Sequence, residues 1–173
     1  MNEQTYVIWL EFDGEFGDYI DAKCIELDNH GIPAGIRPPH LTLTFAKTDQ
    51  YEKLVQYVTD YFAGKKIEII ISTIGQFSGG NMIYLPKANE KLLGLHKEFC
   101  QGIYEFGELA WDLYYPGNWT PHIALTGELN YEDSLKAFSI MKKGFKAQTV
   151  QASRILVSAC KGEENIYIPL ASK

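Results

Sequence analysis

Residues 37–45 read RPPHLTLTF, and residues 117–127 read GNWTPHIALTG. Each stretch is a Pro-His step that enters an apolar run. In HLTLTF (40–45) polar and apolar residues alternate strictly, the period of a β-strand. Alternation puts His40, Thr42 and Thr44 on one face and Leu41, Leu43 and Phe45 on the other. In the second stretch His122, Ala124 and Thr126 share a face opposite Ile123 and Leu125. With helices on the apolar face, each histidine turns the other way. Pro39 and Pro121 have no N–H to offer, so each histidine is expected at the start of a paired segment with its side chain accessible.

The surroundings repeat as well. Before the first motif lies the strand-like run TYVIWLEF (5–12), then a helical spacing of apolar residues from Phe16 to Leu27. After it, Asp49 and Glu52 suggest a capping box for a helix running to Gly64. A strand KIEIIISTI and the turn FSGGN then lead into MIYLP. The second half runs the same way: a helix ending near Gly107, a loop rich in Trp, Tyr and Gly, and the strand HIALT. Next come a helix capped by Asn130 with a stripe of Tyr131, Leu135, Phe138 and Met141, the strand SRILVSA, the turn KGEEN and IYIPL. Such self-similarity at a long period indicates duplication. The order predicts one domain over 1–173, an α+β fold of two pseudo-symmetric antiparallel lobes flanked by helices, with a cleft between them.

Composition narrows the partners. With 173 residues, 46% hydrophobic and 22% charged, the chain reads as a soluble globular protein. No apolar run is long enough to span a membrane, and the acidic, strand-like N-terminus does not read as a signal peptide. Cys24, Cys100 and Cys160 are widely spaced and odd in number, which suits a reducing cytoplasm better than a disulfide framework. The net charge is −6, and Arg37 and Arg154 are the only arginines, so no basic stripe exists for long duplex nucleic acid. A nucleic-acid ligand would be small or held at its end.

Two imidazoles converging on one groove can share a proton near neutrality, because an unperturbed histidine titrates at about 6.5. One can take a proton from water while the other gives one to a leaving oxygen, as phosphodiester cleavage requires. Thr42 places a hydroxyl within reach of that phosphate. Arg37, three residues before His40, can attract a phosphate, and Tyr114, Tyr115 and Trp119 can stack on a nucleobase or pack as core. Arg154 stands in an apolar strand, where a charge needs a partner, a ligand or an edge. His30 reads as solvated and His96 as packed in a helix; neither joins a set of three or four ligands that zinc would need.

The motif His-x-Thr/Ser-x, once per half, resembles the signature of the two-histidine (2H) phosphoesterase superfamily, in particular 2′-5′ RNA ligase-like proteins. HLTL at 40–43 carries it in full, while HIAL at 122–125 has Ala124 where the family has Thr or Ser. The resemblance implies a bilobal, LigT-like fold with a central cleft. It also implies opening of 2′,3′-cyclic phosphates, or cleavage or joining of 2′-5′ linkages, on small nucleotides or RNA ends. On that basis His40 and His122 become the acid–base pair of a cytoplasmic, monomeric enzyme without metal or cofactor, and Thr42 a phosphate ligand. Thr126, one pleat on and roughly 6.5–7 Å further along the strand, is an imperfect substitute for the missing hydroxyl. Ala124 leaves a rival reading open, a module of the same fold that binds a nucleotide without turning it over.

Overall fold

The computed structural model describes residues 3–35, 37–162 and 165–171; Glu163 and Glu164 of the expected KGEEN turn lie outside them. Along the chain run β1 (Gln4–Glu11), α1 (Gly14–Asn29), β2 (His40–Thr48), α2 (Tyr51–Phe62), β3 (Glu68–Gln76) and β4 (Met82–Pro86). They are followed by α3 (Glu90–Ile103), β5 (Glu108–Leu109), a 3-10 turn (Asp112–Tyr114), β6 (Ile123–Ala124), α4 (Tyr131–Lys142), β7 (Gln148–Gln151), β8 (Arg154–Ala159) and β9 (Asn165–Pro169). The strands form two antiparallel sheets, ordered β5-β2-β1-β8-β9 and β6-β4-β3-β7. The α+β expectation holds.

The two sheets are not the two halves of the sequence. The C-terminal hairpin β8–β9 returns to pair with β1, and β3–β4 crosses to pair with β6 and β7. Each histidine strand therefore lies against a strand that is itself paired on both sides: β2 on β1, and β6 on β4. Thus β4 corresponds to β1, and the kindred sequences MIYLP and IYIPL occupy different places, one internal and one at an edge. The helices exchange too. α1 packs on α4 beside the second sheet, and α2 packs on α3 beside the first. Tyr57 and Tyr61 on α2 donate to the Phe99 and Leu95 carbonyls of α3, and the Tyr57 and Phe99 rings stack. Among the described residues no helix is long and apolar enough to cross a membrane.

Several local expectations change. α2 starts after Gln50, whose N–H is bonded by the Thr48 hydroxyl, and Asp49 makes no cap. Asn130 does cap α4, accepting from the Asp133 N–H. α4, however, buries Ser134, Ala137, Ile140 and Met141. Its expected stripe of Tyr131, Leu135 and Phe138 is 78%, 55% and 45% exposed. The small Ser134 and Ala137 let the helix lie close on β3 and β4, with Ser134 bonded to Gln76. The strand expected at HIALT is regular only over Ile123–Ala124, but Leu125 continues the pairing through its N–H to the Met82 carbonyl.

The sheets meet through backbone. Ala34 forms an isolated antiparallel bridge with Thr126, and the Gly35 N–H reaches the Leu125 carbonyl at 2.5 Å. A Cβ on Gly35 would lie 3.1 Å from the Leu125 carbonyl group, so only glycine passes this close without displacement. Gly80, in the β3–β4 turn, is more constrained: its φ is +92°, and a Cβ there would meet the Leu129 oxygen at 2.2 Å. Gly80→Ala combines strain with a backbone clash. Urea unfolding is expected to show a loss of about 2 kcal/mol or more.

Candidate active site between the two histidine strands

Each histidine is fixed in the same way. The His40 Nδ1 lies 3.0 Å from the Pro38 carbonyl, and the His122 Nδ1 lies 2.8 Å from the Thr120 carbonyl. A carbonyl only accepts, so Nδ1 carries the hydrogen in both rings, and Nε2 is left for chemistry. The residue two before each histidine precedes a proline, which holds its backbone extended and keeps the acceptor in place. Burial depresses the proton affinity of both imidazoles, and a charge on His122 depresses that of His40 further.

Their surroundings differ. His40 lies against the Trp9 indole at 4.5 Å between ring centres, and the indole N–H bonds the buried Glu11 carboxylate. His122 meets the edge of Phe77 at 4.8 Å and lines a cleft of about 550 Å³. Ser78, Asn81, Tyr114, Asn118, Ala124 and Glu128 also face this cleft. Tyr114 and Trp119 tie the cleft to the other strand: Tyr114 lies near the Thr42 side chain, and the Trp119 N–H bonds the Thr42 carbonyl at 3.0 Å.

A bulge aims the first motif. The β1–β2 register steps from Ile8–Thr44 to Trp9–Thr42, leaving Leu43 without a partner. His40 and Thr42 stay on one face, but Thr44 turns into the core beside Cys100, which corrects the simple alternation. Bulges commonly re-aim side chains at sites. The carbonyls at the bulge are captured from outside the ladder: Trp119 holds that of Thr42, and His96 Nε2 holds that of Leu43 at 2.9 Å. The His96 and Trp119 rings stack at 3.9 Å and 9°.

The other expected site residues are placed as follows. Thr126 is 2% exposed; its hydroxyl accepts from the Met82 N–H and donates to the Gly127 carbonyl, so it cannot stand in for the missing hydroxyl. The Arg37 guanidinium is paired with Asp28 at 2.6 Å and does not line the cleft. Tyr115 donates to the Leu109 carbonyl and does not line the cleft; its neighbour Tyr114 does. Trp119 is largely buried, with a face covered by His96. Reading the sequence missed Trp9, Glu11, Phe77 and Asn81. Among the described residues no group of three or more His, Cys, Asp or Glu side chains could hold a metal ion.

His96 carries a testable consequence. Burial pushes its pKa down to about 4, against about 6.5 in an unfolded chain, so the unfolded state binds the extra proton first. Its contribution to stability is intact above pH 6.5 and is lost as pH falls towards 4, by roughly 3 kcal/mol at most. Urea midpoints measured between pH 7.5 and pH 4 are expected to fall less steeply in His96→Gln than in the wild-type protein.

Comparison with known proteins supports the same architecture. A family model described as the 2′-5′ RNA ligase superfamily matches residues 25–158. No curated protein sequence matches. Among solved structures, E. coli LigT complexed with 3′-AMP superposes with a TM-score of 0.59 at 12% identity, covering 98% of this chain and 97% of that one. E. coli LigT complexed with ATP gives 0.57 at 13% identity, covering 98% and 96%. Kluyveromyces marxianus Usb1 with uridine monophosphate gives 0.52 at 10% identity, covering 96% and 99%. Identities this low speak for the fold, and the matched model speaks for descent: the chain belongs to the 2′-5′ RNA ligase superfamily.

Proposed function

We propose that the protein is a metal-independent phosphoesterase that acts on the 2′,3′-cyclic phosphate or 2′-5′ linkage of small nucleotides or RNA ends. The observation that carries this reading is the matched pair of imidazoles, each tied at Nδ1 to a carbonyl two residues upstream. Such rings can each move one proton at Nε2. Their environments suggest the division of labour. His40 has the Trp9 face and the Glu11 charge beside it, both favouring imidazolium, whereas no acid raises the proton affinity of His122.

In hydrolysis of a cyclic phosphate, His122 Nε2 takes a proton from water as the water oxygen bonds to phosphorus. The P–O bond to the ribose oxygen breaks, and that oxygen takes the proton from His40 Nε2. Both rings then exchange protons with solvent to return to the starting state. Thr42, on the same strand face as His40, offers a hydroxyl donor to the phosphoryl oxygens. Ser78 and Asn81 line the cleft beside Ala124, where they offer polar groups in place of the absent hydroxyl. Nucleotides in the structures of LigT and Usb1 are consistent with a ligand of this size.

The test follows phosphorus NMR of 2′,3′-cyclic nucleotides with EDTA present. Wild-type protein is expected to turn them over, and His40→Ala and His122→Ala to lose about 10²–10⁴-fold. No turnover by wild type, or undiminished turnover by either variant, rejects the proposal. Ala124 favours a second reading, a nucleotide-binding module without turnover, which calorimetry would reveal as saturable binding with no product. Because Ser78 and Asn81 line the same cleft as Ala124, Ala124→Thr is expected to raise kcat/KM by less than about tenfold, the worth of one neutral hydrogen bond. A larger gain would mean that no other donor serves there.

A further inference from the structure

Glu11 is 1% exposed, and a carboxylate so deeply buried requires compensation. The strand register supplies it from both sides. Glu11 stands opposite Arg154 in the β1–β8 pairing and opposite His40 in the β1–β2 pairing. Directly opposed residues share a sheet face, so Arg154, Glu11 and His40 form one row across three strands. Arg154 Nε bonds one carboxylate oxygen at 2.5 Å, and the Trp9 N–H bonds the other at 2.9 Å. Trp9 is two residues before Glu11, on the same face, and its ring lies against the His40 imidazole. On the far side the guanidinium covers the Tyr167 ring at 4.6 Å. The row runs cation, anion, imidazole.

We propose that Glu11 is a positioning residue for His40: anchored by Arg154 and Trp9, it fixes the indole against the imidazole and favours the protonated ring. This goes beyond the pairing of two histidines, and its bearing on catalysis rests on the phosphoesterase reading. The charges around His40 are few. Glu11 raises its proton affinity and His122, from β6, lowers it; Asp13 and Tyr167 act on Arg154, and Arg37 is held by Asp28. The Pro38 carbonyl, and after it Glu11, oppose the effect of burial on His40, and Glu11 is the acid of the two. His122, against the edge of Phe77, has no counterpart of this row.

The experiment is an NMR titration of the histidine rings in the full, ligand-free chain. In Glu11→Gln the carboxylate charge is lost while the shape is kept. The His40 midpoint is expected to fall by about half a pH unit or more, and the His122 midpoint, read in the same spectra, to move by clearly less than that of His40. If Glu11→Gln does not fold, Arg154→Gln serves instead. Its side chain is half exposed, and in this variant the Trp9 N–H still holds the carboxylate while the opposing guanidinium charge is gone, so the midpoint should rise. Opposite directions in the two variants would separate charge from mere loss of structure. An unmoved His40 midpoint in folded Glu11→Gln, or a fall in Arg154→Gln, overturns the proposal. In turnover assays the alkaline limb of kcat/KM for a 2′,3′-cyclic nucleotide should move with the His40 midpoint. Wild-type protein without turnover would reject the phosphoesterase reading, while the titration would still decide the role of Glu11.

Discussion

The backbone contact between the loop before β2 and the strand β6 is the constraint on which the site depends. Two sheets with their own cores could pack at many angles, since apolar burial has no direction. The Gly35–Leu125 hydrogen bond and the Ala34–Thr126 bridge remove that freedom. They sit five and six residues before His40 and three and four after His122, so the same contact constrains the relation of the two rings. It also explains what became of Thr126. A residue that serves the junction between sheets has its hydroxyl taken by local backbone and cannot also face a ligand.

Around that junction the two motifs are alike in their anchoring and unlike in their support. The Pro-His step gives both rings one tautomer and one free nitrogen. Beyond it, the first motif carries a bulge, two captured carbonyls and a buried carboxylate paired with a half-exposed arginine, whereas the second is a short edge segment that is regular over two residues. Duplication supplies two similar strands, and acid–base chemistry needs two dissimilar proton affinities. The asymmetry arises in what packs behind each ring.

Much of this was legible in the sequence. Strict alternation in HLTLTF, the repeated Pro-His step and the order of elements gave the fold class and the two histidines. The losses share a cause. The bulge at Leu43 is set by Trp119 and His96, which are far away in sequence, so period-two counting carried Thr44 to the wrong face. The α4 stripe was assigned by side-chain size, but the surface that packs is the one with small residues. Glu11 and Arg154 each left a signal, a charge beside an apolar strand, yet nothing local says that β1 and β8 are neighbours or that the charges are in register. The exchange of hairpins between sheets is likewise a long-range choice.

The distribution of charge gives the last link. Both arginines of the chain are committed to carboxylates, Arg37 to Asp28 and Arg154 to Glu11. Among the described residues that line the cleft there is no lysine or arginine, and Glu128 is the one carboxylate. A phosphate would, on the proposed reading, take its positive charge from the imidazoles, of which His122 lines this cleft, and its remaining donors from neutral groups. On the proposed reading, binding and proton transfer draw on the same proton. A chain with a net charge of −6 and no basic groove must then hold the proton on one ring against the effect of burial. On the same reading, Glu11, which is 1% exposed and bonded by the indole that lies against His40, meets that need from a position outside the cleft lining.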